Sequence, residues 1–353
     1  MELIDEILDE VLEKGASDLH ITAGLAPTVR IDGVLYPLKR PVLDTEAAKN
    51  LIYTILTDEQ RARLETNLEL DSSYSISGKS RWRVNVYYQR GSLGAAFRLI
   101  PVEIQNLKDL HLPPILEDLT KKPRGMVIVT GPTGVGKSTT LATMINVINE
   151  RDAKHIITIE DPIEFLHKHK KSMVNQREVG HDTKSFASAL KHVLREDPDV
   201  ILLGEMRDVE TIAAAITAAE TGHLVFTTLH TQDAPQTVDR IIDVFPPFQQ
   251  QQVRIQLAGI LQGIVSQQLL PDASGKGRIP AIEILVATPA VRNIIREGKA
   301  HLLYNAMLTG QKDGMHTLDQ ALADLYQKGR VSYDSVMNRA LDPQHMKSII
   351  GRS

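Results

Sequence analysis

The chain has no cysteine. That excludes disulfides, thiolate nucleophiles and cysteine zinc sites together, and fits a reducing cytoplasm. Aromatic residues make up only 4%, with a single tryptophan, too few for a stacking channel that binds single-stranded nucleic acid. Neither charge sign dominates: 40 Lys and Arg stand against 44 Asp and Glu, a net charge of −4. A chain so balanced has no global pull toward nucleic acid, and none is expected as a partner. No uncharged apolar run is long enough to span a bilayer. The amino terminus, "MELIDEILDEVLEKG", is acidic where a signal peptide is basic. Its Leu3, Ile4, Ile7, Leu8, Val11 and Leu12 fall on one face of an amphipathic helix. What is there is ordinary for a globular protein: 353 residues, 42% apolar and 24% charged, enough for two domains.

Against this background one stretch stands out, "GPTGVGKSTT" at 131–140. Glycine, four residues, glycine, lysine and serine is the phosphate-loop spacing, met by Gly131, Gly136, Lys137 and Ser138. Glycines let backbone N–H groups turn toward phosphate oxygens, the lysine reaches the β/γ oxygens, and the hydroxyl can ligate Mg²⁺. The context agrees with the spelling. "GMVIVT" (125–130) reads as a buried strand, and Leu141, Met144, Ile145 and Ile148 follow at helical spacing. A helix N-terminus then adds its partial positive charge to the site. The candidate nucleotide-binding residues are Gly131, Thr133, Gly134, Val135, Gly136, Lys137, Ser138 and Thr139, and the expected ligands are a nucleoside triphosphate, ATP, and Mg²⁺.

The chain is written in two styles. Up to about residue 100 it reads as a helix followed by short alternating strands, with Asp32-Gly33 as a hairpin turn and 80–89 and 95–100 as a second hairpin. This is expected to be a small α+β domain, 1–100. Residues 101–112 read as a linker, with Pro113-Pro114 just beyond. From Gly125 unbroken apolar strands, 155–161, 199–205 and 223–230, alternate with helices such as 185–196 and 209–222. That pattern predicts an α/β domain, 113–353, built on a mostly parallel sheet covered on both faces, with a helical carboxyl-terminal part from about 288.

Ligands of such sheets bind at the carboxyl ends of the strands, and those ends here are polar. "IEDPIEF" supplies Glu160, Asp161 and Glu164, "ILLGE" supplies Glu205, and "TTLHT" supplies His230, with His223 at the same strand's start. Glu205 holds the place of a strand-end acid that binds Mg²⁺ together with Ser138. Glu164, past the Pro162 turn, can polarise an attacking water, and His230 can hydrogen-bond the γ-phosphate. Taken singly, each also reads as an ordinary turn or cap residue. On "SRWRVNVYYQ" a period of two sets Arg81, Arg83 and Asn85 opposite Trp82, Val84 and Val86, with Arg98 on the returning strand. Such arginines can neutralise phosphate charge or simply line a solvated face. Further on, Val291, Ile294, Ile295 and Leu302 read as one helical face, with Arg292, Arg296 and Lys299 as a basic stripe opposite.

These residues in this order resemble the bacterial secretion and pilus ATPases over essentially the whole chain. "SDLHITAG" (17–24) resembles the family's amino-terminal signature, "IEDPIEF" its acidic box, "DPDVILLGEMRD" (197–208) its Walker B and "TGHLVFTTLHT" (221–231) its histidine box. "AVRNIIREGK" (290–299) resembles a stretch of the retraction ATPases in particular. The resemblance implies a PAS-like amino-terminal domain, a RecA-like motor domain and a homohexamer. It implies Glu164 as catalytic base, Glu205 as Walker B acid, and Arg83 and Arg98 completing the ATP site. It also implies an ATPase that powers type IV pilus retraction at the cytoplasmic face of the inner membrane, against a platform protein there. A pilus-assembly or type II secretion ATPase is the alternative. Those relatives usually carry a larger amino-terminal region and a four-cysteine zinc site, which this chain lacks.

Overall fold

The computed structural model describes residues 4–31, 33–77, 79–100, 103–275 and 277–351. Leu3, Asp32 of the first turn, and Pro101 and Val102 of the expected linker lie outside the described residues. Two compact units are present: residues 1–103 with 164–166, and residues 104–163 with 167–353.

In the first unit a helix, α1 (Ile4–Glu13), precedes strands β1 (Asp18–Thr22), β2 (Thr28–Ile31) and β3 (Val34–Pro37). Two helices, α2 (Thr45–Tyr53) and α3 (Asp58–Asn67), lead to β4 (Glu69–Ile76), β5 (Ser80–Gln89) and β6 (Ser92–Ile100). The strands form one antiparallel sheet in the order β3-β2-β1-β6-β5-β4. Ile31 pairs with Val34, so the first hairpin closes over two residues, with Gly33 at φ +84°. The period-two reading of β5 holds: Trp82, Val84 and Val86 are buried, and they pack with Leu19, Phe97, Ile7, Leu8 and Ile52. The sequence reading had no α2 or α3. Helix α3 is polar all round and buries only Leu64, so it gives no apolar stripe to read.

The second unit has a seven-stranded sheet in the order β13-β12-β7-β11-β10-β8-β9. Its strands are β7 (Gly125–Thr130), β8 (His155–Glu160), β9 (Met173–Glu178), β10 (Val200–Leu203), β11 (Leu224–Leu229), β12 (Leu261–Pro271) and β13 (Arg278–Val286). All pairs are parallel except β12 with β13. The helices are α4 (Ile115–Thr120), α5 (Lys137–Arg151), α6 (Phe186–Val193), α7 (Val209–Glu220), α8 (Ala234–Asp243), α9 (Pro247–Ile260), α10 (Pro289–Arg296), α11 (Leu303–Thr309), α12 (Leu318–Gln327), α13 (Tyr333–Met337) and α14 (Pro343–Ile350).

Strand residues alternate between two cores, as a sheet covered on both faces requires. Met126 and Ile128 pack with α6 to α11, whereas Val127 and Val129 pack with α4 and α5. Leu107 and Leu112 also join the α4–α5 core, so this end of the stretch read as a linker packs against the sheet. A further cluster joins Leu270 and Ile279 of the β12–β13 hairpin to α12, α13 and α14. No helix among the described residues is long and apolar enough to cross a membrane.

Candidate nucleotide site

Because β7, β11, β10 and β8 are parallel neighbours, the residues following them collect along one edge of the sheet. The phosphate loop follows β7 at its centre. Its turn depends on glycine: Gly136 caps α5 at φ +88°, and a Cβ on Gly131 would stand 2.4 Å from the Gln267 carbonyl. The buried Lys137 turns its Nζ back into the loop, donating to the Gly131 carbonyl at 2.8 Å and the Pro132 carbonyl at 3.0 Å. Ser138 and Thr139 lie in the first turn of α5, where N–H groups without helical partners concentrate.

The neighbouring strand ends meet through side chains. Glu205 lies two residues past β10 and His230 one past β11. His230 Nε2 stands 3.3 Å from Glu205 Oε2, and Arg207 Nη2 donates to the same carboxylate at 3.0 Å. A carboxylate oxygen accepts, which puts the ring hydrogen on Nε2 and leaves Nδ1 as an acceptor. Partial burial lowers the His230 pKa, and the charges of Lys137 and Arg207 lower it further. The turn carrying Glu205 is fixed to β11 by Thr228 Oγ1, which donates to the Gly204 carbonyl at 2.6 Å, and by the Met206 N–H on the Thr228 carbonyl. Thr130, the last residue of β7, donates to the Thr231 carbonyl at 2.6 Å. Hydrogen bonds thus link the loop, the acid and the histidine side by side along this edge.

Glu160, the last residue of β8, is buried at the same edge and accepts from Thr158 Oγ1 at 2.7 Å and Gln176 Nε2 at 3.2 Å. Other candidates lie elsewhere. His223 sits at the opposite edge, its Nδ1 2.9 Å from the Ala218 carbonyl at the end of α7. Glu164 is exposed and belongs to the three-residue segment grouped with the first unit. In that unit Arg83 and Arg98 are direct cross-strand partners. Arg98 Nε donates to Asp18 Oδ1 at 2.9 Å while its side chain stays 74% exposed. Burial alone would raise the Asp18 pKa, but hydrogen bonds from Ser17 and Arg98 bring it below the usual value. Arg81 donates to Ser73 Oγ at 2.9 Å.

The basic stripe of the sequence reading does not survive. Helix α10 ends at Arg296, and Leu302 lies in a separate 3₁₀ turn, exposed. Arg292 is no free surface cation: Nη1 donates to the Ala258 and Gly259 carbonyls at 2.6 and 2.8 Å, and Nε to the Ala287 carbonyl at 3.0 Å. It caps the carbonyl end of α9, a role that helical spacing hides because the partners come from another helix.

Sequence reasoning also missed Gln267, a 3%-exposed residue of β12. Its Nε2 donates to the Val135 carbonyl at 2.6 Å and its Oε1 accepts from Thr140 Oγ1 at 2.8 Å.

A phosphate loop after the central strand of a RecA-like parallel sheet, with an acid and a histidine at the next two strand ends, defines a P-loop ATPase. Residues 1–338 match the model of the type II/IV secretion system protein family, and the chain belongs to it. It is 48% identical to the type IV pilus retraction ATPase PilT of Pseudomonas aeruginosa, over 97% of this chain and 99% of the relative. The crystal structure of the pilus retraction motor PilT with bound ADP superposes with a TM-score of 0.92 at 51% identity, covering 99% of this chain and 100% of the other. The type IV pilus assembly ATPase PilB of Myxococcus xanthus is 35% identical over 69% of this chain and 44% of its own length.

Proposed function

We propose that this chain is an ATP-hydrolysing motor that powers retraction of a type IV pilus. The observation that carries this reading is the strip of phosphate loop, Glu205 and His230 in a chain that matches a retraction ATPase from end to end. The assembly ATPase is 35% identical over 69% of this chain, against 48% over 97% for the retraction ATPase, which favours retraction over assembly. The motor works as a homohexamer against an inner-membrane platform protein, from the cytoplasmic face.

Ser138 and Glu205 fit Mg²⁺ chemically, both being hard oxygen donors. Bound there, Mg²⁺ neutralises charge developing on the phosphoryl oxygens. Gly131 and the backbone from Thr133 to Thr139 hold the phosphates, and Lys137 supplies a fixed positive charge. His230 keeps its Nε2 hydrogen on Glu205 until a γ-phosphate oxygen competes for it. Glu164 takes a proton from the attacking water. Arg83 and Arg98, side by side on the sheet with Asp18 bonded to Arg98, add positive charge to the transferring group.

Glu164→Gln tests the assignment, because an amide cannot accept that proton. The purified variant is expected to bind ATP normally and to release phosphate at least about 100-fold more slowly. Normal turnover would remove Glu164 from the mechanism.

A further inference from the structure

A phosphate loop binds through N–H groups, and an N–H faces inward only if the carbonyl of the same peptide faces out, since the two point in opposite directions across a planar trans amide. Whatever holds the outward carbonyls therefore sets the affinity of the loop. The Gly131 and Pro132 carbonyls face into the loop, where Lys137 Nζ binds them. The Gly134 and Val135 carbonyls are held from outside the loop, by the β12–β13 hairpin. Arg278 Nη1 donates to the Gly134 carbonyl at 3.2 Å, and Gln267 Nε2 donates to the Val135 carbonyl at 2.6 Å. These two peptides carry the Val135 and Gly136 N–H groups.

We infer that Gln267 and Arg278 are positioning residues for the nucleotide phosphates, acting through the orientation of the Gly134–Val135 and Val135–Gly136 peptides. Gln267 is built for the task. Val135 O can only accept, so the amide NH₂ faces it and Oε1 faces Thr140 Oγ1 at 2.8 Å. One buried amide thereby spans the loop and the first turn of α5. Its backbone fits equally closely: the Gln267 carbonyl occupies the space that a Cβ on Gly131 would need. Arg278, opposite Pro271 in the ladder, reaches over from the exposed end of the same hairpin. Neither residue belongs to the phosphate-loop motif.

The inference rests on the reading of residues 131–139 as a nucleotide site. An N–H donor that is misaimed weakens substrate and transition state alike, so KM should rise while kcat holds. A residue that served only the fold would instead lower the melting temperature and the active fraction. In the full-length protein, Gln267→Met is expected to raise KM for MgATP about tenfold with kcat within about threefold. Arg278→Ala should raise KM about threefold, and Arg278→Gln, which keeps a donor without the charge, should restore most of that loss. KM unchanged in Gln267→Met and Arg278→Ala, with wild type binding ATP normally, overturns the inference alone. If Gln267→Met does not fold, the exposed Arg278 variants decide it by the same criterion. Failure of wild type to bind ATP overturns both this inference and the nucleotide site.

Discussion

Strand β11 carries a histidine at each end, and the two are held in unlike ways. At the amino edge of the sheet, His223 bonds the Ala218 carbonyl in the last turn of α7, and nearby His155 has its Nδ1 3.1 Å from the Asp197 carbonyl. Each ring there has a backbone carbonyl and a neutral side chain as its partners, Thr221 Oγ1 at 3.2 Å for His223 and Asn175 Nδ2 at 3.0 Å for His155. At the carboxyl edge, His230 is held by the Glu205 side chain and feels the charge of Lys137. A polar group used on backbone has stability as its product. One balanced against other side chains can exchange partners, and an incoming phosphate offers that exchange. The same contrast separates Arg292, which caps α9, from Arg83, which is exposed and faces Arg98.

The comparison breaks if residues of the two edges prove interchangeable. The largest effect is expected of Lys137→Ala, which removes the fixed cation of the loop. Phosphate release should fall at least about 1,000-fold, and retained turnover would take the loop out of catalysis. The two histidines come next. His230→Ala should lower kcat about 10- to 100-fold, with a melting temperature close to wild type. His223→Ala should leave kcat and KM unchanged and cost about 1 kcal/mol of stability; equal effects on turnover would erase the difference between the edges. Arg292→Ala follows, expected to cost about 1–3 kcal/mol in a denaturation experiment by leaving helix-end carbonyls without their donor. No measurable loss would return Arg292 to the solvated stripe read from the sequence.

The smallest effect sharpens the contrast through pH. Glu283, fully buried on β13, accepts from the Ala234 N–H at 2.9 Å and Ser266 Oγ at 3.2 Å. Burial pushes its pKa up to about 7, from a usual value of 4.5. Its folded pKa is raised, so its favourable contribution is complete below about 4.5 and is lost as pH rises through about 7. Glu283→Gln should therefore melt a few degrees above wild type at pH 8, with the gain gone at pH 4.5. A gain independent of pH would show that the carboxyl is not the group responsible.

The parts legible in the sequence were those with local signals. The strand–loop–helix around Lys137, the acids and histidine at strand ends, and the alternation of β5 each rest on spacing within one element. The missed parts rest on partners far apart in the chain. Strand β9 reads "MVNQRE", an edge strand with polar residues on most positions. Strand β12 reads "LQGIVSQQLLP", where buried Ser266 and Gln267 interrupt the apolar run. Gln267 has meaning only beside Val135 and Thr140, and no glutamine spacing announces that. Arg292 was misread for the same reason: helical periodicity tells which residues share a face, not which neighbouring helix lends its carbonyls.

The account's central claim is that ATP held at the carboxyl edge drives pilus retraction. It is tested most directly by following the lengths of labelled type IV pili on cells that lack their own retraction ATPase and express this chain. Wild-type protein should restore shortening of extended pili, and Lys137→Ala, produced to the same level, should leave them extended. Retraction sustained by the Lys137→Ala protein, or wild-type protein that lengthens pili without shortening them, would contradict the claim.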